Sequence, residues 1–297
     1  QNLCAVIPDN VTNEDAVFTV IASIGLNGIR LSKPSFGETF LVSGLGLIGL
    51  ITSQILISNG CTVLGVDPDE DRCNLASSFG VESLNISRNN DQVSWCLKKT
   101  QNLGIDGAII TAAVDSSDPI NYAAKSCRKR GRIILIGATP INLIRDIFYK
   151  KELSFNVSCS YGPGRYDKSY EVYSNDYPIG YVRWTEKRNF EAILNSFAKN
   201  SLKIKSLISH TFEFDNVKEA YNLLLSEEKS IGILINYPYK NKKLSRKLIF
   251  KNYYEKNKNE TLINNEPFIG FIGSGNYAKR ILIPSFSKAG AKFHSLI

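Results

Sequence analysis

Residues 40–58 read FLVSGLGLIGLITSQILIS: an apolar run, glycines at Gly44, Gly46 and Gly49, and a second apolar run that ends at Asn59-Gly60. A short β-type segment (Phe40 to Ser43), a glycine turn and a helix (Leu47 to Ser58) form the strand-turn-helix order in which G-x-G-x-x-G cradles a diphosphate. Gly44 permits the tight turn, Gly46 lets a pyrophosphate approach the backbone, and Gly49 allows the helix to pack closely on the strand. The diphosphate would sit on the amides at the helix N-terminus, around Leu47 and Ile48. The next strand, Cys61 to Val66, delivers Asp67, 23 residues after Gly44. A carboxylate there accepts hydrogen bonds from an adenosine ribose and repels a 2′-phosphate, which favours NAD; Arg72 stands close enough to keep NADP open.

Downstream the alternation continues. Helices are predicted over 69–79, 91–100 and 119–128, and strands over 107–112, 132–137 and, at the sheet edge, 153–158. Strands alternating with helices imply right-handed crossovers and a parallel sheet covered on both faces: an α/β, doubly wound Rossmann fold. Ligands in such sheets bind beyond the carboxyl ends of the strands, so Thr111-Ala112-Ala113 and Gly137-Ala138 are further cofactor-contact candidates, with small size for packing as the alternative. Upstream, Asn13 to Leu31 carries acidic residues in its first turn and apolar residues at helical spacing, and reads as one helix. After Cys159 comes a tyrosine-rich stretch without clear periodicity. It is followed by helices over 190–199 and 217–226 and strands over 207–212 and 231–236.

A second glycine pattern, Gly273-Ser-Gly275-Asn-Tyr-Ala278, lies 229 positions after the first and follows the apolar run Pro267 to Ile272. It predicts a partial second Rossmann module, a lone strand and helix that are poorly ordered or loosely docked. The organisation that follows is 1–37, a connection and helix; 38–160, the dinucleotide-binding domain; 161–237, a substrate-side region; 238–266, a basic linker; and 267–297, the truncated second module. With no methionine and a start at Gln1 inside what reads as a connection, a piece of a longer product is expected.

The formal net charge of +8 is concentrated: Tyr239 to Glu260 holds eight basic residues against two acidic ones. A solvated linker is the simplest reading, so neither nucleic acid nor membrane is an expected partner. No apolar run is long enough to span a bilayer and no signal peptide is visible, which makes the cytoplasm the expected compartment. Six cysteines without a C-x-x-C pair and two distant histidines, His210 and His294, give no support for zinc. Most of the cysteines are expected to be small buried hydrophobes.

The segments NEDAVFTVIASIGLNGIR, VSGLGLIGLITSQIL, GVDPDEDRCNLASSFGV, GIDGAIITAA and KSCRKRGRIILIGAT follow the order of the medium-chain, alcohol dehydrogenase-like family, which residues 4–237 resemble. Residues 267–297 resemble the opening of the Gfo/Idh/MocA oxidoreductases. With YGPGRYD and YPIGYVRWTEKRN between them, the whole is similar to bi-domain oxidoreductases found with bacterial surface-polysaccharide genes. The resemblance implies an NAD(P)-dependent hydride transfer on an alcohol or carbonyl substrate, a sugar or sugar nucleotide. A stand-alone polyol dehydrogenase and a non-catalytic NAD-binding subunit are the alternatives. It also implies a homodimer through the edge strand 153–158. The family's zinc ligands and the second family's lysine-bearing motif lie outside these residues, so the catalytic residues are unknown and only Gly273, Gly275 and Ala278 transfer to the second module.

In the tyrosine-rich stretch, Arg165, Arg183 and Lys187 are candidates to hold a carboxylate or phosphate. Lys187 or Tyr161 would serve as a proton donor if its pKa were lowered. Packing of an interface explains the same residues equally well.

Overall fold

The computed structural model describes residues 2–238 and 268–296, which fall into two compact units, 1–236 and 237–297. Apart from Pro238, the predicted basic linker lies outside the described residues. None of the described helices is long and apolar enough to cross a membrane.

The first unit is built on six parallel strands: β1 (Thr39–Ser43), β2 (Thr62–Asp67), β3 (Glu82–Asn85), β4 (Ile105–Ile110), β5 (Cys127–Leu135) and β6 (Ser154–Val157). Their order is β3-β2-β1-β4-β5-β6. The chain therefore winds one way from β1 and then the other, and the crevice where the direction reverses lies between the carboxyl ends of β1 and β4.

Alternation along β1 shows why both faces are dry. Phe40 and Val42 enter one apolar cluster, with residues of α2 (Thr19–Ser32), α3 (Leu47–Ser58) and α9 (Glu186–Ala198). Leu41 enters the other, with residues of α5 (Gln92–Lys99) and α6 (Asp118–Ser126). The remaining helices are α1 (Asn13–Ala16), α4 (Glu70–Ser78), α7 (Arg145–Lys151), α8 (Lys168–Glu171) and α10 (Val217–Leu225). The last of these joins a second, two-stranded parallel sheet, β7 (Ile208–Glu213) with β8 (Gly232–Asn236).

Several boundaries differ from the sequence reading. The helix expected over 13–31 is broken after Ala16, where the Thr19 hydroxyl donates to the Ala16 carbonyl at 2.6 Å in place of a helical amide. Strand β3 was not anticipated: Glu-Ser-Leu-Asn has no apolar alternation, and only its pairing with β2, Leu64 opposite Glu82, makes it a strand. The short helix α7 was missed for the same lack of periodicity. α6 stops at Ser126 and β5 begins at Cys127, ahead of the expected Arg132.

The second unit corrects the expectation of a lone strand and helix. β9 (Phe268–Phe271) is followed by the glycine turn, a π-helical turn (Ala278–Leu282), α11 (Ile283–Lys288) and then β10 (Lys292–Leu296), which pairs in parallel with β9. The Phe271 ring lies 5.8 Å from that of Phe286 and 5.7 Å from that of Phe293. This small aromatic cluster joins the predicted helix to the second strand, which pattern reading left out.

Candidate dinucleotide site

The first glycine turn sits at the β1–β4 reversal, and its three glycines meet different surroundings. Gly44 has φ +96°, and a Cβ there would stand 2.7 Å from the Ala112 amide nitrogen. Gly49 is tighter still, since a Cβ would fall 1.9 Å from the Gly44 carbonyl oxygen. Both are fixed by the fold. Gly46 differs: its φ of −71° suits any residue, and a Cβ would meet nothing nearer than the Arg72 Nη1 at 4.0 Å. The fold does not need a glycine at this position, which opens onto unfilled space at the N-terminus of α3, where Leu47 and Ile48 begin the helix.

The neighbouring strand ends lock the turn in place. The amides of Thr111 and Ala112 donate to the Ser43 carbonyl at 2.9 and 3.0 Å, and the Thr111 hydroxyl donates to the Gly44 carbonyl at 2.6 Å. Gly137 packs so closely that a Cβ would lie 2.1 Å from the Ala112 carbonyl oxygen. The structure thus brings Gly44, Gly46, Gly49, Ala112 and Gly137 to one crevice. In the second unit, Gly273 has φ +89°, Gly275 opens onto free space and Ala278 is buried.

Asp67 ends β2 and is 2% exposed. Its Oδ2 accepts the Leu45 amide at 2.7 Å and its Oδ1 the Asp69 amide at 2.9 Å. Sequence spacing placed this acid beside the turn but did not reveal that it is bonded into it. Arg72 extends over the same region, with Nη1 3.9 Å from the Asp67 Oδ2. The Asp69 carboxylate caps α4 by accepting the amides of Asp71 and Arg72. It also pairs with Lys229 at 3.0 Å, and these bonds hold its pKa below the usual carboxylate range against the opposing effect of burial.

The tyrosine-rich stretch leaves the carboxyl end of β6 along a fixed path. The Asn27 side-chain amide on α2 donates to the Ser158 hydroxyl at 2.8 Å and to the carbonyls of Cys159 and Ser160 at 3.3 Å. On α9, Asn189 donates to the Tyr161 carbonyl at 2.8 Å and accepts from the Arg30 Nε at 2.8 Å. Tyr170 is buried and stacks on Tyr177, which donates its hydroxyl to Asp167. Tyr166, Tyr173 and Tyr181 face outward.

Two expectations for this stretch are corrected. Arg165 is already bonded to Glu171 at 2.6 Å, so its charge is engaged within the chain. Burial raises the Tyr161 pKa, with Arg165 offsetting it only in part, so the lowered value a proton donor would need is not met. Lys187 lies half-buried in the first turn of α9. Sequence reasoning missed Glu186 beside it. This side chain is fully buried, neither carboxylate oxygen has a hydrogen-bond partner, and its pKa is pushed up to about 7 by burial and by Glu171. A charged residue inside the otherwise exposed-looking run Thr-Glu-Lys-Arg gives no hint of burial in sequence.

Residues 48–175 match the family model described as zinc-binding dehydrogenase. The chain is 22% identical over 227 residues to an uncharacterized zinc-type alcohol dehydrogenase-like protein of Escherichia coli, YdjJ, covering 76% of this chain and 58% of that protein. It is 22% identical over 236 residues to the D-xylulose reductase of Scheffersomyces stipitis, covering 78% and 60%. Among solved structures, the E. coli alcohol dehydrogenase RspB complexed with NADH superposes with a TM-score of 0.63 at 23% identity, covering 78% of this chain and 62% of that one. The chain thus spans about three fifths of the length of the proteins it matches.

The family's description implies zinc. Among the described residues no three His, Cys, Asp or Glu side chains converge where a metal ion could sit. Cys73, Cys96 and Cys127 are buried, and burial pushes their thiols up to about 11, 11 and 12. These donors do not fit a zinc ion, and the chemistry derived for this chain uses none. Residues 48–175 thus match the zinc-binding dehydrogenase model, and the first unit shares the six-stranded parallel fold of the alcohol dehydrogenase structures on which it superposes.

Proposed function

We propose that the first unit binds NAD(H) across the β1–β4 crevice and that the whole protein transfers hydride between the nicotinamide and an alcohol or polyol carbon. The observation that carries this reading is Gly46, an open position with an ordinary φ at the head of α3. Unfilled space in front of helix amides is what a diphosphate requires. When bound, the nicotinamide supplies or accepts the hydride; the protein contributes binding and orientation. The proposed contacts are Gly44, Gly46, Leu47, Ile48, Gly49, Ala112 and Gly137, with Asp67 and Arg72 at the adenosine ribose. The acid favours NAD, and Arg72 leaves room for NADP. Similarity to a D-xylulose reductase supports a small polyol substrate over the larger sugar nucleotide of the bi-domain resemblance. β6 stands at the end of the sheet order, the position from which a second copy could extend it into a homodimer.

Gly46→Asp places a carboxylate in the proposed diphosphate cradle without a clash. NADH affinity is expected to fall by about a hundredfold, while the thermal midpoint stays at the wild-type value. Fluorescence titration and a melting curve read the two effects separately. Failure of the wild-type chain to bind NADH would overturn the proposal. Steady-state oxidation of polyols by the full-length protein separates a dehydrogenase from a non-catalytic NAD-binding subunit.

The second unit favours a second reading of the architecture. Its β9, glycine turn, helix and parallel β10 repeat the opening of a Rossmann module. That pattern supports a second nucleotide-binding module; the bi-domain arrangement with a Gfo/Idh/MocA-type module, and with it a sugar-derived substrate for the whole protein, is the second reading we propose on the sequence resemblance. A complete reading frame that continues into further alternating strands and helices is its test.

A further inference from the structure

Residues 163–180 form a strap over the first turn of α9. Gly164 sits directly on Glu186: a Cβ there would stand 3.1 Å from the Glu186 Oε1 and 2.6 Å from the Tyr170 Cδ1. Beside it, the Glu186 amide donates to the Pro163 carbonyl at 2.9 Å. The carboxyl underneath is 0% exposed, and neither of its oxygens has a hydrogen-bond partner.

The strap is knit mainly to itself. Arg165 donates to Glu171 at 2.6 Å, the Tyr177 hydroxyl donates to Asp167, the Asn175 amide donates to the Ser169 carbonyl at 2.9 Å, and the Tyr177 ring stacks on that of Tyr170 at 5.3 Å. Bonds to the body of the unit run through the Pro163 carbonyl, through the Tyr170 carbonyl, which accepts from Asn2 at 3.0 Å, and through Asp176, which pairs with Arg188. Of its residues only Gly164 and Tyr170 are buried. Its two ends are glycines: Gly162, with φ +121°, follows the Tyr161 carbonyl held by Asn189, and a Cβ at Gly180 would meet nothing within 4 Å. The piece between them can swing without losing its own bonds.

An ionised carboxylate kept dry and unpartnered is among the costliest groups a fold can bury. The charged and titratable groups that act on Glu186 are Glu171, which opposes its charge, Arg165, which favours it but is engaged by Glu171, and the phenols of Tyr161, Tyr170 and Tyr177. Burial first, and Glu171 second, push its pKa up to about 7 from an ordinary 4.5. Lifting the strap gives the carboxylate water and uncovers one buried side chain, Tyr170. Closure therefore favours the acid, and opening favours the carboxylate.

We propose that Glu186 is a pH-operated latch: protonated, it lets the strap 163–180 close over the start of α9, and ionised, it drives the strap open about Gly162 and Gly180. The device lies outside the dinucleotide crevice and does not depend on a bound cofactor.

The sign and the window follow from the two protonation states. An acid whose pKa is raised on closing holds the strap shut below pH 4.5; the opening constant then grows by roughly tenfold per pH unit up to about 7 and is level above it. Hydrogen exchange of the amide at position 186, corrected for the intrinsic rate at each pH, reads its bond to Pro163. In the wild-type chain its protection is expected to fall by about fiftyfold from pH 5 to pH 8. In Glu186→Gln it should stay constant. In Glu171→Gln, which removes the like charge and frees Arg165, it should fall by only about fivefold. At both pH values it should lie at least about tenfold below the protection of the β4 amides, because the strap opens while the sheet stays folded. Protection equal to that of β4 would make the opening global unfolding and overturns the latch, as does a wild-type fall no larger than that of Glu186→Gln. A fall in Glu171→Gln as large as in wild type overturns the assignment of the response to this pair of acids.

Discussion

Gly49→Ala is expected to cost about 3 kcal/mol of stability and to abolish NADH binding. The added methyl would fall 1.9 Å from the Gly44 carbonyl oxygen and 2.8 Å from the Thr111 hydroxyl oxygen. The first obstacle is backbone and cannot rotate away. The second already donates to that same carbonyl, so relieving the clash means separating α3 from β1 or giving up the bond that ties β4 to the turn. Gly46→Ala, three positions earlier in the same turn, should leave stability within a few tenths of a kcal/mol. Urea unfolding of the two variants side by side is the measurement. Equal midpoints would show that the turn yields easily and that the close packing described for it is not required.

Glu186→Gln is expected to stabilise the first unit by about 2 kcal/mol at pH 8 and to change little at pH 5. The carboxyl is fully buried without a partner, and its pKa in the fold is about 7 against 4.5 in the unfolded chain. Below pH 4.5 it is protonated in both states and exacts no penalty. Between 4.5 and 7 the unfolded chain releases its proton first, so stability falls as pH rises, and the full penalty is present above 7. Glutamine keeps the shape of the neutral acid and removes the titration. The figure allows for the nearby Arg165 guanidinium, which favours the charged form. Denaturation midpoints at the two pH values for wild type and variant decide the matter. A loss of stability at pH 8 would mean that the ionised carboxylate has acquired a partner, with Arg165 turning from Glu171 towards Glu186.

The glycine turn was legible because its chemistry is local. Gly44, Gly46 and Gly49, the flanking apolar strand and the helix from Leu47 to Ser58 are properties of one continuous segment, and the helix has the bounds read from sequence. What escaped is what depends on distant partners. β3 is a strand only through β2, and β10 only through β9. The Arg30–Trp184–Arg183 stack joins residues more than 150 positions apart. The burial of Glu186 follows from the chain 163–170 folding over the start of α9, where Gly164 and the Tyr170 ring close around it. The tyrosine-rich stretch drew attention for its aromatic and charged side chains, yet Arg165 and Tyr177 are engaged in holding that stretch together. Composition cannot distinguish such internal contacts from a surface offered to a ligand.

The Asp67 carboxylate has one oxygen on the Leu45 amide and the other on the Asp69 amide, so a single side chain spans the glycine turn and the start of α4. Under the proposed function, an adenosine ribose arriving at this acid would meet a group whose two oxygens are already hydrogen-bonded to two different elements. Each new hydrogen bond it makes would be felt at Leu45. Discrimination at the ribose would then be a mechanical property as well as an electrostatic one, since a cofactor that pulls the carboxylate away also loosens the cradle for its own diphosphate. Hydrogen exchange at the Leu45 amide should therefore slow on addition of NADH and slow less on addition of NADPH. Identical protection by both would leave charge repulsion alone as the basis of selectivity.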